Sequence, residues 1–426
     1  MKPNDRTLLS RIIRLACCTA LSLTLAAPSV LAHAPRAVKA KPAGKAAATR
    51  SPASSAAAKL LAVYDHAMQL TRANFYDQTM RGLPWDEMVQ AGRRTLGNHP
   101  DEAHLKTVVN GVLGQLHASH TVFLSDADQE YWALQSIFSG HLDGYRVRQI
   151  GAWFSRRGSR WFVRNVFPDS PAERAGLRRG DEIITVDGAP LAPVKSFTRL
   201  QPNEKANVAF RRLPWEKPRT VAVPTVLASF QEGLLRTVQD SKFLYDVRGK
   251  KVAYVALPAG THAAFRTALT QAVSQAESTA DALVLDLRDG FGGADLAYLD
   301  PFFDMPKAAS PKGGVQKAVF DKPLVLLIDG GTSSGKEWLA WFVKKQGRGT
   351  LVGTRTAGAF LAGKLFDVAP RRFALYLAVA DTQKLSTNLE GHGVEPDIPV
   401  VGGLMYAAGI DPQLKKALEV AASKAK

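Results

Sequence analysis

Three uninterrupted apolar segments in the second half of the chain constrain its fold more than any other feature. They cover residues 252–255, 282–285 and 324–328, and none of them contains a charged residue. Continuous apolar runs are typical of strands covered on both faces, whereas half-exposed strands alternate between apolar and polar residues. Helical stretches separate the three runs, so the sequence predicts an α/β layer with covered strands.

Two earlier regions of the 426-residue chain have different patterns, as expected for a chain of two or three folded units. Apolar residues at helical spacing mark residues 58–138 as a helical N-terminal part; they include Val108, Val109, Val112, Leu113 and Leu116. Residues 139–226 contain short β-rich runs and a hairpin-type Asp187-Gly188 turn. With the α/β part at 227–426, the sequence predicts an α+β multidomain protein.

The N-terminus has the features of a cleaved signal peptide. Four basic residues precede a short apolar run at 15–27, and Val30 and Ala32 suit the cleavage positions. We therefore expect a signal peptide at 1–32, a mature chain that begins at His33, and a periplasmic or secreted protein. The apolar run is shorter than a membrane-spanning helix usually requires. The alternative to a cleaved signal peptide is a segment that stays uncleaved and anchors the protein in the membrane.

The predicted leader also settles the cysteine chemistry and part of the charge. Cys17 and Cys18 both lie within it, so the mature chain would have no disulfide, thiol nucleophile or zinc–thiolate site. Its removal would reduce the net charge from +17 to about +14. Residues 33–57 are rich in Ala, Pro and basic residues and contain no acid, which predicts a flexible, solvated linker rather than a surface for nucleic acid or lipid.

Residues 168–184, PDSPAERAGLRRGDEII, predict a short helix, a left-handed turn at Gly180 and an apolar strand. The segment resembles the SPAxxAGLxxGDxI signature of PDZ domains. By that resemblance, Ile150, Gly151 and Ala152 lie in the carboxylate-binding loop, whose N–H groups would hold a peptide C-terminus while the peptide adds as a strand. A PDZ fold kept only as a rigid spacer is the alternative.

Two glycine-rich turns follow predicted strands, at 285–293 (LDLRDGFGG) and at 326–337 (LLIDGGTSSGKE). Glycines let backbone N–H groups approach a ligand closely, and a serine at a strand-to-helix turn lies near helix N-terminal N–H groups. Residues 330–336 also fit a phosphate-binding loop, but Glu337 stands where the magnesium-binding hydroxyl is required. A GxSxG pattern centred on Ser333 has only three fixed letters and remains a minor alternative.

Five segments together resemble the tail-specific (C-terminal-processing) and tricorn-like serine peptidases. After the PDZ segment come DLRxxxGG at 286–293, TxSxxE at 332–337, GTRTAG at 353–358 and EGHGVEPD at 390–397, a resemblance that spans about 60–402. It implies a helical N-terminal cap, a PDZ domain and a crotonase-like or Clp-protease-like α/β core. It also implies peptide hydrolysis through an acyl-enzyme without metal or organic cofactor, with Ser334 as nucleophile and the N–H groups of Gly335 and Gly292 (or Gly293) as oxyanion hole.

The resemblance leaves the general base to be chosen. The tail-specific branch has a lysine where this chain has Ala359, so a simple Ser–Lys dyad is missing. The tricorn branch implies instead His120 as acid/base, with Glu390 and Ser119 as orienting groups, which suits serine activation by an imidazole.

Three further side chains compete for a role near the predicted nucleophile. His392, near Glu390, is another candidate base, and Lys364 lies five residues beyond the expected lysine position. Lys336 follows Ser334 by two residues on a helix, so we expect it to point away and be exposed to solvent.

These observations predict an exported serine endopeptidase that recognises a peptide or protein substrate through its C-terminus. A catalytically inactive PDZ peptide-binding protein of the same fold is the alternative, because the missing lysine would also fit a decayed enzyme. A Ser–Lys peptidase that uses Lys364 is another. Nucleic acid partners and a stable membrane span are not expected, and the oligomeric state is open.

Overall fold

The computed structural model describes residues 52–97, 100–201, 204–241, 243–306, 315–382 and 388–426. The predicted signal peptide, its cleavage site before His33 and most of the predicted linker lie outside these residues. Helix α1 begins at Pro52, inside the segment predicted as linker, because proline suits the first turn of a helix and alanines follow it. Residues 57–426 form one compact unit. No helix among the described residues is long and apolar enough to cross a membrane.

The first part of this unit packs helices against a small antiparallel sheet. The helices are α1 (Pro52–Asn74), α2 (Trp85–Leu96), α3 (Glu102–Gly114) and α4 (Gln129–Ser139), with a short helical turn at Met80–Gly82. The sheet pairs β1 (Val122–Ser125) with β17 (Phe373–Ala380) and β17 with β16 (Ala362–Ala369). The predicted apolar face of α3 is buried, and Val109 and Leu113 share a core with Phe373 and Leu375. The loop from α3 to β1, which carries Ser119 and His120, is thereby held at the edge of this core.

The PDZ part is an antiparallel sheet with two short helices. Its described strands follow the order β3 (Ala152–Arg157), β4 (Arg160–Val166), β5 (Glu182–Val186), β6 (Lys205–Arg211) and β7 (Arg219–Pro224), with α5 at Pro171–Arg174 and α6 at Lys195–Thr198. The Asp187-Gly188 turn has the two positive φ angles that a tight hairpin requires. Beside this sheet, β2 (Val147–Gln149) pairs with β8 (Val226–Ala228). Because β3 is at the edge of the sheet, its outer side is where a peptide would add.

The remaining described strands form an α/β sheet in the order β18, β15, β14, β11, β10, β9. The strands are β9 (Phe243–Val247), β10 (Lys250–Ala256), β11 (Ala282–Asp286), β14 (Leu324–Ile328), β15 (Gly349–Gly353) and β18 (Ile398–Pro399). Outside this sheet, β12 (Met305–Pro306) pairs antiparallel with β13 (Val315–Gln316). The helices are α7 (Phe230–Asp240), α8 (Ala263–Thr279), α9 (Gly335–Lys345) and α10 (Pro412–Lys424), with a helical turn at Leu296–Leu299.

The apolar runs occupy the centre of this sheet, as the sequence predicts. Every residue of β11 and β14 is buried, and the two strands are parallel neighbours. Parallel strands end at the same edge of a sheet, so the glycine-rich turns that follow β11 and β14 come together there. The predicted α+β architecture, with a helical cap, a PDZ domain and an α/β core, is confirmed.

Candidate active site

Ser334 lies on the sharp turn between β14 and α9. Its φ of 56° and ψ of −128° are unusual for a residue with a side chain and resemble the strained turn on which hydrolases expose a nucleophilic serine. The turn is held by the Ser334 N–H, which donates to Ala359 O at 2.8 Å and faces Glu337 Oε2 at 3.0 Å. The hydroxyl is therefore presented by backbone that the surrounding contacts fix.

Glu337 is the carboxylate that supports this turn, and the sequence analysis assigned it no role. It is fully buried and also accepts hydrogen bonds from Gly358 N at 2.7 Å, Ala359 N at 2.8 Å and Thr356 Oγ1 at 2.6 Å. Burial raises the pKa of Glu337, although these hydrogen bonds favour its charged form. Its place as the last letter of the TxSxxE motif was the available signal.

Ser119, His120 and Glu390 form one hydrogen-bonded chain. Ser119 Oγ lies 2.8 Å from Glu390 Oε2 and 2.8 Å from His120 Nδ1, and Ser119 N donates to Glu390 Oε1 at 2.9 Å. An ionised carboxylate only accepts, so the Ser119 hydroxyl donates to Glu390 and accepts from Nδ1–H of His120. This order leaves Nε2 of His120 unprotonated, as a general base requires.

A short stretch of backbone joins this chain to Ser334. Ala359 accepts from Ser334 N, and the next two N–H groups, of Phe360 and Leu361, donate to Glu390 Oε2 at 2.6 and 3.1 Å. Within the described ranges, the Ser334 hydroxyl and the His120 ring share no hydrogen bond. Catalytic hydrogen bonds often form only when substrate is bound, so the arrangement is compatible with a base that closes on the nucleophile.

His120 has a mostly apolar environment. Its ring packs edge-on against Tyr376 of β17, with centroids 5.3 Å apart, and Phe138 of α4 also packs edge-on against Tyr376, at 5.7 Å. Burial lowers the pKa of His120, and the carboxylate of Glu390 opposes that shift. Burial therefore favours the neutral ring that a general base needs.

Two unpaired N–H groups lie at the same edge of the sheet. In the part of the chain that the structure describes, the N–H groups of Gly292 and Gly335 donate to no protein group. A Cβ on Gly292 would lie 2.4 Å from Ser334 Cβ, and one on Gly335 would lie 2.1 Å from Ala294 O. Only glycine fits either position, as the predicted oxyanion hole requires.

The competing base candidates lie elsewhere or are otherwise engaged. Lys364 is exposed on β16, with its ammonium over the Phe366 ring at 5.1 Å. His392 is exposed, and its Nδ1 lies 3.0 Å from the Glu390 carbonyl. The expectation of an exposed Lys336 is wrong, because its side chain is completely buried beneath the turn at 287–293, which helical spacing alone does not show.

The predicted carboxylate-binding loop leads into β3. Ile150 and Ala152 are buried, Gly151 has a φ of 79°, and the carbonyls of Ile150 and Gly151 accept from Ala172 N and Phe167 N. Among the described residues, the N–H groups of Ile150 and Gly151 donate to no protein group. The loop thus has free donors of the type that a terminal carboxylate needs.

The outer edge of β3 already has an occupant. Gln129, the first residue of α4 and 3% exposed, donates from Nε2 to Ala152 O at 2.9 Å, and its Oε1 accepts from Phe154 N at 2.9 Å. One carboxamide thereby makes the two hydrogen bonds that the backbone of an added strand would make.

Two family models match parts of this chain. Residues 251–400 match the family model of peptidase family S41, and residues 162–211 match a PDZ domain. A crystal structure of a CPAF mutant has the same fold, with a TM-score of 0.51, 13% identity and coverage of 86% of this chain and 97% of that one.

Two curated relatives represent the two branches suggested by the motifs. A carboxyl-terminal-processing protease of Picosynechococcus sp. is 28% identical over 59% of this chain, and a putative tricorn protease homolog 2 of Streptomyces coelicolor is 26% identical over 86%. The chain spans 64% of the first relative's length and 32% of the second's. This chain is therefore similar to PDZ-containing peptidases of family S41, among them carboxyl-terminal-processing and tricorn-like proteins.

Proposed function

We propose that the protein is an exported serine endopeptidase with Ser334 as nucleophile and His120 as general base. One observation carries the proposal: residues 359–361 contact Ser334 at one end and Glu390 at the other, which places the strained serine beside the Glu390–Ser119–His120 chain. The export step rests on the leader at 1–32. The match of residues 251–400 to the S41 family model and the free N–H groups of Gly292 and Gly335 support the chemistry.

The proposed reaction needs four proton transfers through one imidazole, two for acylation and two for deacylation. Ser334 Oγ attacks the peptide carbonyl carbon as its proton passes to His120 Nε2, and the oxyanion is held by Gly292 N–H and Gly335 N–H. The C–N bond then breaks, and the proton passes from His120 to the leaving amine. Water then attacks the acyl carbon as His120 takes its proton; the ester C–O bond to Ser334 Oγ breaks, and His120 returns the proton to Oγ, which releases the acid and restores Ser334.

Labelling with a fluorophosphonate probe tests this proposal. We expect one covalent adduct on Ser334, identified by mass spectrometry of the digested protein, because the probe reacts with activated serines and mimics the tetrahedral intermediate. Ser334→Ala should lose the adduct, whereas Ser333→Ala, its matched neighbour, should keep it. An adduct on Ser333 would favour the GxSxG alternative, and a folded protein without any adduct would favour the inactive peptide-binding protein.

We further propose that the PDZ part selects substrates by a free C-terminus. The terminal carboxylate would bind the N–H groups at Ile150, Gly151 and Ala152, and the preceding residues would pair with β3. Because Gln129 holds Ala152 O and Phe154 N, a peptide that adds to β3 must first displace its carboxamide. Gln129 is therefore an internal competitor of the peptide.

Peptide affinity measured by fluorescence polarisation on Ser334→Ala protein tests this mode of recognition. We expect a peptide that ends in an apolar residue with a free C-terminus to bind about ten-fold more tightly than its C-terminal amide. Gln129→Ala should tighten peptide binding by a similar factor, because Ala152 O and Phe154 N then find hydrogen-bond partners only in the peptide. Gln135→Ala, a buried glutamine of the same helix that bonds Asp367 instead, is the matched control. Equal affinity for the acid and the amide would identify the PDZ part as a spacer.

A further inference from the structure

Lys336 is a fully buried lysine that has no carboxylate partner among the described residues. It lies in the first turn of α9, two residues after Ser334, and forms no salt bridge with any described residue. Its Nζ instead donates to Pro258 O at 2.9 Å and to Asp289 O. A lysine is almost never fully buried unless its ammonium is paired or hydrogen-bonded, and here two backbone carbonyls accept those bonds.

The two carbonyls belong to the backbone that carries the oxyanion-hole glycine. Asp289 has a φ of 55° and begins the turn that reaches Gly292. Pro258 O also accepts from Phe291 N at 2.8 Å, and Gly260 N donates to Gly292 O at 2.8 Å. Lys336 therefore ties the nucleophile's helix to both segments that fix the position of Gly292.

We propose that Lys336 is a positioning residue for the oxyanion hole. Its ammonium holds the turn at 289–293 so that the Gly292 N–H points at the oxyanion that forms when Ser334 attacks the substrate. The inference rests on the proposed role of Ser334. Without the two hydrogen bonds, the turn would be free to move the Gly292 N–H away from the developing negative charge. Among the described residues, the Lys336 side chain has hydrogen bonds to Pro258 O and Asp289 O and none to Ser334, so it would act through Gly292.

The charge of Lys336 provides a second property to measure. Burial lowers its pKa to about 8, while the carboxylates of Asp289, Asp329 and Asp286 favour the ammonium and Arg164 opposes it. Asp289 is itself paired with Arg164 and Arg179. At neutral pH the ammonium adds positive charge near the oxyanion, and above pH 8 it loses that charge and one N–H. We therefore expect kcat to decline as pH rises through about 8.

Unfolding would not produce the same decline. The pKa of Lys336 is lower in the folded chain than the ordinary lysine value of about 10.4, so between these values the unfolded chain binds more protons. The contribution of Lys336 to stability therefore increases with pH over this interval, while its contribution to catalysis decreases. The two effects have opposite signs.

The test compares Lys336→Met with Lys345→Met, an exposed lysine on the same helix that packs on Trp341. We expect Lys336→Met to lower kcat for a cleaved peptide about 10- to 100-fold, with little change in KM. Its affinity for a peptide aldehyde, which forms an oxyanion adduct on the serine, should fall by the same factor. The decline of kcat above pH 8 should disappear, and Lys345→Met should match the wild type.

Three outcomes would overturn the inference. A folded Lys336→Met variant with wild-type kcat and wild-type aldehyde affinity would overturn the role of Lys336 and leave the proposed function intact. If that variant does not fold, the inference is overturned when the kcat of the wild-type protein stays constant as pH rises through 8. A wild-type protein that neither turns over peptide nor reacts with fluorophosphonate at Ser334 would contradict the proposed function and this inference together.

Discussion

Replacement of His120 by alanine is expected to reduce peptide hydrolysis by about four orders of magnitude, whereas Lys364→Ala should retain most of the activity. The histidine base needs only the neutral ring that burial already favours. A lysine base would need a buried site and a pKa lowered by several units, but Lys364 is exposed on β16. Steady-state kcat/KM on one peptide measures both variants.

His392→Ala is the matched control, because it removes an exposed histidine two residues from Glu390. We expect it to leave kcat/KM within a few-fold of the wild type. Loss of activity in Lys364→Ala, with His120→Ala active, would restore a Ser–Lys mechanism. Loss of kcat/KM in His392→Ala alone would identify His392 as the general base.

The pH profile gives the same hypothesis a second readout. Because burial lowers the pKa of His120, its protonation and the fall of kcat/KM should occur below the ordinary histidine value of about 6.5. The unfolded chain binds the proton more readily than the folded chain, so acid also reduces stability over this range. Thermal unfolding followed across the same pH values separates the two effects.

The sequence predicted those parts of the fold and site that depend on neighbours along the chain. Continuous apolar runs identified β11 and β14, and the strand-to-helix pattern identified the turn that presents Ser334. Ser119 and Glu390 are 271 positions apart, and no local pattern brings them together. Only the order of several family motifs pointed to that pair.

The sequence analysis missed contacts in which one side chain bonds backbone that lies far away in the sequence. Lys336 appeared exposed because helical spacing describes the helix and not the turn at 287–293 that covers its first residues. The sequence analysis gave Gln129 no role, yet its carboxamide bonds the edge of β3 more than twenty positions away. Such contacts follow from packing of separate elements, which hydrophobic periodicity does not determine.

Glu390→Gln is expected to reduce kcat by two to four orders of magnitude, although the new side chain has nearly the same shape. Both carboxylate oxygens of Glu390 face donors: Oε1 accepts from Ser119 N, and Oε2 accepts from Ser119 Oγ, Phe360 N and Leu361 N. A glutamine places its NH₂ against some of these donors in either orientation. At least one buried N–H then loses its partner.

The substitution also changes the proton order at the histidine. If the glutamine NH₂ faces Ser119 Oγ, the Ser119 hydroxyl accepts from it and donates its own proton to Nδ1 of His120. The ring proton of the neutral His120 then lies on Nε2. A protonated Nε2 cannot take the proton of Ser334, so turnover stops while peptide binding continues. Ser119→Ala should reduce kcat in the same direction by removing the group that accepts from Nδ1–H.

Kinetics on a cleaved peptide, with binding measured separately, check this expectation. The matched control is Glu395→Gln, which alters an exposed glutamate paired with Arg355 five residues along the same segment and should leave kcat unchanged. A Glu390→Gln variant with wild-type kcat would show that neither the charge nor the proton order at residue 390 matters. In that case His120 would have to be oriented by its packing against Tyr376 alone.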